Sequence, residues 1–424
     1  MKLKFQSPTG MHDILADDQR YFEKIYETIK KVADFYNFQK IETPILEDTE
    51  LFSKGTGLGT EVVRKQMFSL RTKGKDYLTL RPEGTPSIVR AYIQNGMQAL
   101  PSPVKLWYFG PFFRYEKPQA GRFRQFWQFA FETIGEQSSV RDAETIQIFY
   151  SILKDLKLKK ITVEVNSIGD TCCRPYYIKL LTSYLKRITG LCADCQRRIK
   201  DNPLRVLDCK KEKCRELVSE APQILDNLCP ACRRHFKEVL EFLDEAEIPY
   251  RLNPYLVRGL DYYTKTVFEI FSEEKEESEM LSALGGGGRY DGLIKLLGGK
   301  ETPAVGAAGG VDRIADLMKK KIKLPEKKEP QIFVAQLGAL AKRKTLKMME
   351  EFRKAKIPVS ESLGRDSLRA QLKIADKIGV KYALILGQKE ALQNTIMVRH
   401  MATGRQKEVK LDKIIKEMKG KLKE

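Results

Sequence analysis

Histidine is scarce in this sequence, with three residues among 424: His12, His235 and His400. None sits in a segment resembling a catalytic box, which argues against chemistry driven by a histidine acid or base. Long apolar runs are absent too. Without a stretch of about 18 apolar residues, no transmembrane helix is expected. The N-terminal MKLKFQSPTGMHDILADDQ lacks the apolar core of a secretory signal. A cytoplasmic protein without a membrane partner is expected. Acidic residues are in deficit, 56 Asp and Glu against 76 Lys and Arg, giving a net charge of +20. That excess fits a polyanionic partner such as nucleic acid, or else a solvated basic surface. Residues 330–424 hold 22 Lys and Arg against 10 Asp and Glu, a net +12, so much of the excess lies in the last segment.

What is present supports a soluble globular chain, 42% hydrophobic and 31% charged. At roughly 100–200 residues per domain, two or three domains are expected. Phe22, Ile25, Ile29, Val32 and Phe35 are spaced as one face of a helix over 17–36. Phe38 to Leu46 reads as a strand ending near Pro44, and Tyr77 to Leu80 as a short one before RPEGT. Residues 104–115 and 123–134 are rich in aromatic and β-branched residues and predict two antiparallel strands joined by the polar EKPQAGR. ITVEVNSI (161–168) is another strand. Residues 171–250 are helical, charged and cysteine-containing. Strand character returns at 251–271, followed by SEEKEESE, read as a solvated hairpin tip. GGGG at 285–288 leads into RYDGL, and TPAVGAAGGVDRIADLM runs from strand to helix. KKKIKLPEKKEP (319–330) reads as a linker. Beyond it, strands and helices alternate as in a small α/β domain.

Arg114 and Glu116 close the first long strand, and Arg122 and Arg124 open the second. Arginine's planar fork suits phosphate oxygens, although by itself such a pattern is more often a salt-bridged hairpin. Of eight cysteines, six fall between Cys192 and Cys232, and Cys172 and Cys173 are adjacent. Cys192/Cys195 and Cys229/Cys232 are C-x-x-C pairs, with Cys209 and Cys214 between them. Two readings stand side by side: one structural Zn²⁺ closed by the two pairs, or reduced packing cysteines.

FFRYEKPQAGRFRQFWQ resembles the second signature motif of class II aminoacyl-tRNA synthetases. GAAGGVDRI resembles the third, with Arg313 in its arginine position, and IETPILE places Pro44 where the dimer-forming first motif has its proline. RPEGT (81–85), LVRGLDYYTKTVFE (256–269) and GGRYDGL (287–293) resemble the histidyl-tRNA synthetase family. The resemblance implies an α+β fold: a class II antiparallel sheet flanked by helices (1–170 and 251–324), interrupted by a helical insertion (171–250). A C-terminal α/β anticodon-binding domain (330–424) would follow. It also implies a ligase that uses ATP, with Mg²⁺, to activate L-histidine and transfer it to histidine tRNA, working as a homodimer.

By that resemblance, Glu83 and Thr85, with Gln128, hold the substrate α-amino group. Glu132 and Tyr263 line the imidazole pocket, with Tyr262 and Tyr290 beside it; the alternative for Tyr262 and Tyr263 is core packing. Arg114 meets the ATP α-phosphate and the substrate carboxylate, and Glu116, Arg122 and Arg313 contact ATP. Arg258 is the catalytic arginine at the α-phosphate, with Gly259 giving it backbone freedom. Lys117 and Trp127 depart from the family's usual arginine and histidine, and Trp127 is expected to pack. The rivals are non-charging relatives, either a regulatory subunit of histidine biosynthesis or a tRNA-binding sensor. The former should lose LVRGLDYY or the C-terminal domain, and the latter should have decayed motifs. Neither loss is present.

Overall fold

The computed structural model describes residues 5–57, 59–118, 121–272, 283–325 and 329–422. The chain divides into two compact units, 1–324 and 325–424. The expected hairpin tip SEEKEESE falls almost wholly outside the described residues, at 273–282.

Unit 1 begins with α1 (Ala16–Phe35), whose buried face is Phe22, Ile25, Ile29 and Val32. Phe35, expected on that face, is 81% exposed. The helix ends there, Asn37 turns the chain at φ 59°, and Phe38 enters the core instead. The single strand expected over 38–46 is two short ones, β1 (Gln39–Lys40) and β2 (Leu46–Asp48). Pro44 has no N–H for a ladder. The Thr43 carbonyl is also taken by the Arg81 guanidinium at 2.8 Å. Next come α2 (Thr49–Thr56), β3 (Phe68–Arg71), β4 (Tyr77–Leu80) and α3 (Thr85–Gln94). The order β2-β4-β3 makes a small antiparallel sheet.

The expected long strands are β5 (Val104–Phe113) and β6 (Gln125–Ile134), antiparallel from Val104 opposite Ile134 to Phe113 opposite Gln125. Then follow α4 (Val140–Asp155) and β7 (Ile161–Ser167). The helical segment is α5 (Arg174–Leu185), α6 (Ala193–Asp201), α7 (Leu204–Leu207), α8 (Glu212–Leu217) and α9 (Pro230–Glu245). β8 (Tyr250–Leu252), β9 (Thr264–Ser272), β10 (Gly285–Arg289), α10 (Leu293–Leu296), β11 (Ala304–Gly310) and α11 (Val311–Lys321) complete the unit.

The main sheet has the order β1-β5-β6-β11-β10-β9-β7-β8. Only its outer pairs, β1/β5 and β7/β8, are parallel. Strand alternation sorts side chains between two cores. Trp107, Phe129 and Phe131 pack with α1, α4 and α11 on one face. Leu106, Tyr108 and Ala130 pack toward α3 and the helical insertion on the other. Gln128 and Glu132 share the parity of Ala130, so the chemistry-bearing positions of β6 face α3. Trp127 packs edge-on against Phe22 and beside Phe109, as expected.

Unit 2 contains β12 (Ile332–Gln336), α12 (Ala339–Lys354), β13 (Val359–Glu361), α13 (Leu368–Ile378), β14 (Tyr382–Leu386), α14 (Gln388–Gln393), β15 (Thr395–His400), β16 (Gln406–Lys410) and α15 (Ile414–Lys421). Its sheet order is β13-β12-β14-β15-β16. The first three strands are parallel, as the strand–helix alternation implies, and β15 and β16 add an antiparallel hairpin.

Candidate active site

RPEGT forms the sharp passage from β4 into α3. It carries Glu83 and Thr85 to the mouth of a pocket bounded by β5, β6, β10, β11 and the loop before β9. Glu83 is 4% exposed and receives two hydroxyl hydrogen bonds, from Thr56 Oγ1 at 2.5 Å and Tyr262 OH at 2.8 Å. Burial raises its pKa, and those hydroxyls with Arg114 and Arg258 pull the other way. A desolvated carboxylate of this kind attracts an ammonium group far more strongly than an exposed one does. Gln128, Tyr262 and Tyr263 line the same pocket.

Behind this wall lies Glu132, 1% exposed. Its two oxygens accept from Thr85 Oγ1 at 2.8 Å and from Tyr290 OH at 2.6 Å. Burial, with a smaller push from the charge of Glu83, raises its pKa to about 7 against those two bonds. Glu132 fits because position 306 is glycine; a Cβ on Gly306 would lie 1.6 Å from its Oε2. Glu132 and Tyr290, expected at the imidazole pocket, form a layer behind Thr85. Neither Glu132 nor Tyr290 is among the residues lining this pocket, and each oxygen of Glu132 accepts one hydrogen bond, from Thr85 and from Tyr290.

The rest of the lining is cationic. Arg114 leaves the end of β5, donates from Nε to Pro82 O at 2.9 Å and lies over the Phe126 ring at 5.5 Å. Arg313 enters from α11 and donates to Gly121 O at 3.0 Å and Ala283 O at 2.8 Å. Neither has a carboxylate within salt-bridge distance among the described residues. Burial lowers the Arg313 pKa, and the charges of Arg122 and Arg114 lower it further. Arg122 sits 3.6 Å from Glu116, the only loose ion pair of the set.

Arg258 is paired with Glu269 of β9, a partner absent from the sequence reading. Burial works against its charge, but Glu269 and Tyr263 more than offset this and raise its pKa. Its Nε is buried without a hydrogen-bond partner. Room for the guanidinium comes from the glycine strand, since a Cβ on Gly286, opposite Glu269, would be 2.7 Å from Arg258 Nη1. The expected role of Gly259 is corrected. Its φ is not positive, and a Cβ there would meet only Arg205 Nη1 at 3.8 Å.

Thus Glu83, Thr85, Arg114, Glu116, Arg122, Gln128, Arg258, Tyr262, Tyr263 and Arg313 converge on one pocket. Thr56, Tyr108, Glu269 and Asp312 were missed by sequence reasoning. Asp312 accepts the Trp127 backbone N–H at 2.6 Å and helps fix the β6–α11 corner. Glu269 and Asp312 lay inside quoted motifs, but a single carboxylate carries no local signal for its partner.

The cysteine expectation is also corrected. The two C-x-x-C pairs do not meet. Cys192 and Cys195 gather with Cys209 and Cys214, while Cys229 and Cys232 gather with Asp170 and Cys173. The short helices α7 and α8 fold Cys209 and Cys214 back onto the first pair. The start of α9 returns the second pair to the end of β7.

The family description "Histidyl-tRNA synthetase" matches residues 10–169 and 188–314, and "Anticodon binding domain" matches 331–421. A histidine--tRNA ligase of Dehalococcoides mccartyi is 42% identical over 417 residues, covering 98% of this chain and 99% of its own. One of Desulfitobacterium hafniense is 44% identical over 414 residues, 96% of each chain. The apo crystal structure of Staphylococcus aureus histidyl-tRNA synthetase superposes with a TM-score of 0.79 at 33% identity, covering 97% of this chain and 99% of that one.

Proposed function

Since the chain belongs to the histidyl-tRNA synthetase family, we propose that the pocket of unit 1 forms histidyl-adenylate from L-histidine and ATP, and that the same enzyme passes histidine to the 3′ end of histidine tRNA. The full-length agreement with ligases, together with an intact LVRGLDYY and Arg313, disfavours a non-charging relative.

The observation that carries the reading is the arginine wall. Arg114 and Arg313 are held by backbone carbonyls, without carboxylate partners among the described residues, close enough to repel each other. Such repulsion is relieved by a polyanion. In the first half-reaction, a carboxylate oxygen of histidine attacks the ATP α-phosphorus and pyrophosphate leaves. The carboxylate is already ionised at neutral pH, so no general base is required. The work is to bring two anions together and to meet the charge that moves onto the phosphoryl oxygens. Arg114 bridges the histidine carboxylate and the α-phosphate. Arg258, kept in place by Glu269, offers its fork to the α-phosphate. Arg313 and Arg122, the latter beside Glu116, take the rest of ATP.

Mg²⁺, brought with ATP, would supply charge neutralisation for the departing pyrophosphate. The groups of three or more ligating side chains found among the described residues lie elsewhere, so ATP phosphate oxygens and water would supply most of the ligands of the ion. Glu83, Thr85 and Gln128 take the α-ammonium. Tyr263 and Tyr262 close around the imidazole, whose neutral ring has one donor and one acceptor. Glu132 acts one layer back by holding Thr85 and Tyr290. An amino acid lacking both ring nitrogens would leave buried polar groups unpaired, which can cost about 10⁴–10⁵ in discrimination.

Unit 2, with its excess of Lys and Arg, is the anticodon-binding part. A homodimer fits Ile45, Leu46, Leu70 and Tyr77, which are exposed around the β2-β4-β3 sheet after Pro44. The cytoplasm is its compartment, where its thiols stay reduced. The test is ATP–pyrophosphate exchange with each of the twenty amino acids. Histidine should exceed every other, and comparable exchange with a second amino acid would sink the assignment.

A further inference from the structure

The cysteines of the insertion are placed as ligands, and they are placed twice. In the first cluster, the Sγ atoms of Cys192, Cys195, Cys209 and Cys214 all lie within 4.8 Å of one another. In the second, a carboxylate oxygen of Asp170 and the Sγ atoms of Cys173, Cys229 and Cys232 meet the same limit. A tetrahedral zinc with Zn–S of about 2.3 Å holds its sulfurs about 3.8 Å apart, so closing either cluster on one ion requires only small side-chain movements. A four-iron cluster would hold its thiolates farther apart.

The local backbone agrees. Cys192 and Cys229 are the N-cap residues of α6 and α9, with nearly equal conformations, φ −66° and ψ 158° against φ −65° and ψ 160°. Each C-x-x-C therefore presents its two sulfurs in the same way, one before the helix and one in its first turn. The Cys192 N–H donates to Cys214 Sγ at 3.3 Å, and the Cys172 N–H to Asp170 Oδ1 at 2.9 Å. Backbone donors of this kind support thiolate and carboxylate ligands around a bound cation. No two of the eight cysteines are joined as a disulfide.

We propose that the insertion binds two separate structural zinc ions, one by Cys192, Cys195, Cys209 and Cys214, and one by Asp170, Cys173, Cys229 and Cys232. The first ties α6, α7 and α8 into one body, which the short helices α7 and α8 could hardly form by packing alone. The second clamps the start of the insertion, just after β7, to the start of α9. Each cluster is linked to the loop before β9 by an arginine. Arg205, four residues before Cys209, donates to Gly259 O, and Arg174, next to Cys173, donates to Tyr263 O at 2.6 Å. Loss of either ion should loosen residues 258–263. That consequence rests on the reading of the loop as substrate-binding, whereas the metal count does not.

The test is elemental analysis of the full-length protein purified without chelator. About two zinc ions per chain are expected. Cys195→Ser and Cys232→Ser should each leave about one, and the double variant none. If a variant does not fold, X-ray absorption of the unaltered chain decides, with about 3.5 sulfur and 0.5 light ligands per zinc on average. A single zinc in the unaltered chain, lost completely with Cys192→Ser and equally with Cys229→Ser, would mean one bridging site and overturn the proposal. A single zinc in the unaltered chain, lost only with variants of one cluster, would overturn the other site. Iron in place of zinc would overturn the assignment of the ion. Metal-free protein that takes up none on reconstitution, with eight titratable thiols, would make these packing cysteines.

Discussion

The buried Glu132 gives the protein a pH dependence that a single substitution should remove. Its carboxyl is moved from 4.5 to about 7, with burial as the largest cause. The folded state therefore holds a proton that the unfolded chain has released. The resulting stability is fully present below pH 4.5 and is lost as pH rises through 7. At about 1.4 kcal/mol per pKa unit, the whole effect is about 3 kcal/mol, of which about 2 kcal/mol falls between pH 5.5 and 8.5. Urea unfolding of unit 1 at fixed protein concentration, followed across that range, should show this fall. In Glu132→Gln, whose amide does not titrate, the slope should flatten. It should not vanish, because burial pushes Glu83, Asp261 and Asp312 the same way. Tyr290→Phe removes a bond that favours the ionised form and should shift the fall to higher pH. Equal slopes in the wild type and Glu132→Gln would refute the placement of Glu132 as a desolvated group behind Thr85 and Tyr290.

Arg258→Ala should slow adenylate formation by about 10²–10³, with transfer from preformed adenylate affected less, because the α-phosphorus is no longer under attack. Single-turnover measurement of the two half-reactions separates them. Equal losses would make Arg258 a positioning residue, and pairing the change with Glu269→Gln should recover part of the loss due to the stranded carboxylate. Truncation after Leu324 should spare pyrophosphate exchange and impair tRNA charging, and tRNA binding by the full chain should fall with added salt as phosphate contacts release counterions. Normal charging by the truncated protein would give unit 2 another role.

Sequence periodicity was enough for elements that bury themselves locally. The aromatic alternation of 104–115 and 123–134 specifies two faces wherever the strands pair, so β5 and β6 were legible, as were α1 and the strand–helix alternation of unit 2. Local signals failed where a distant group competes for the backbone. Arg81 takes the Thr43 carbonyl and breaks the strand expected after Phe38. They failed also at α1's end, where one turn exchanges Phe35 for Phe38 in the core.

Within the site, the motifs located the arginines, Glu83 and the paired tyrosines, because each rides on a contiguous segment. Their relations were decided only by the tertiary structure. Glu269 meets Arg258 because β9 and β10 pair in the register that sets Glu269 against Gly286. Glu132 withdraws behind Thr85 because Gly306 on the neighbouring strand leaves it room. The cysteines make the same point most sharply. Spacing in the sequence joined the two C-x-x-C pairs, since it counts residues along the chain. The fold sorted them into two clusters, since thiols meet where helices end, and the ends of α6 and α9 lie against different neighbours.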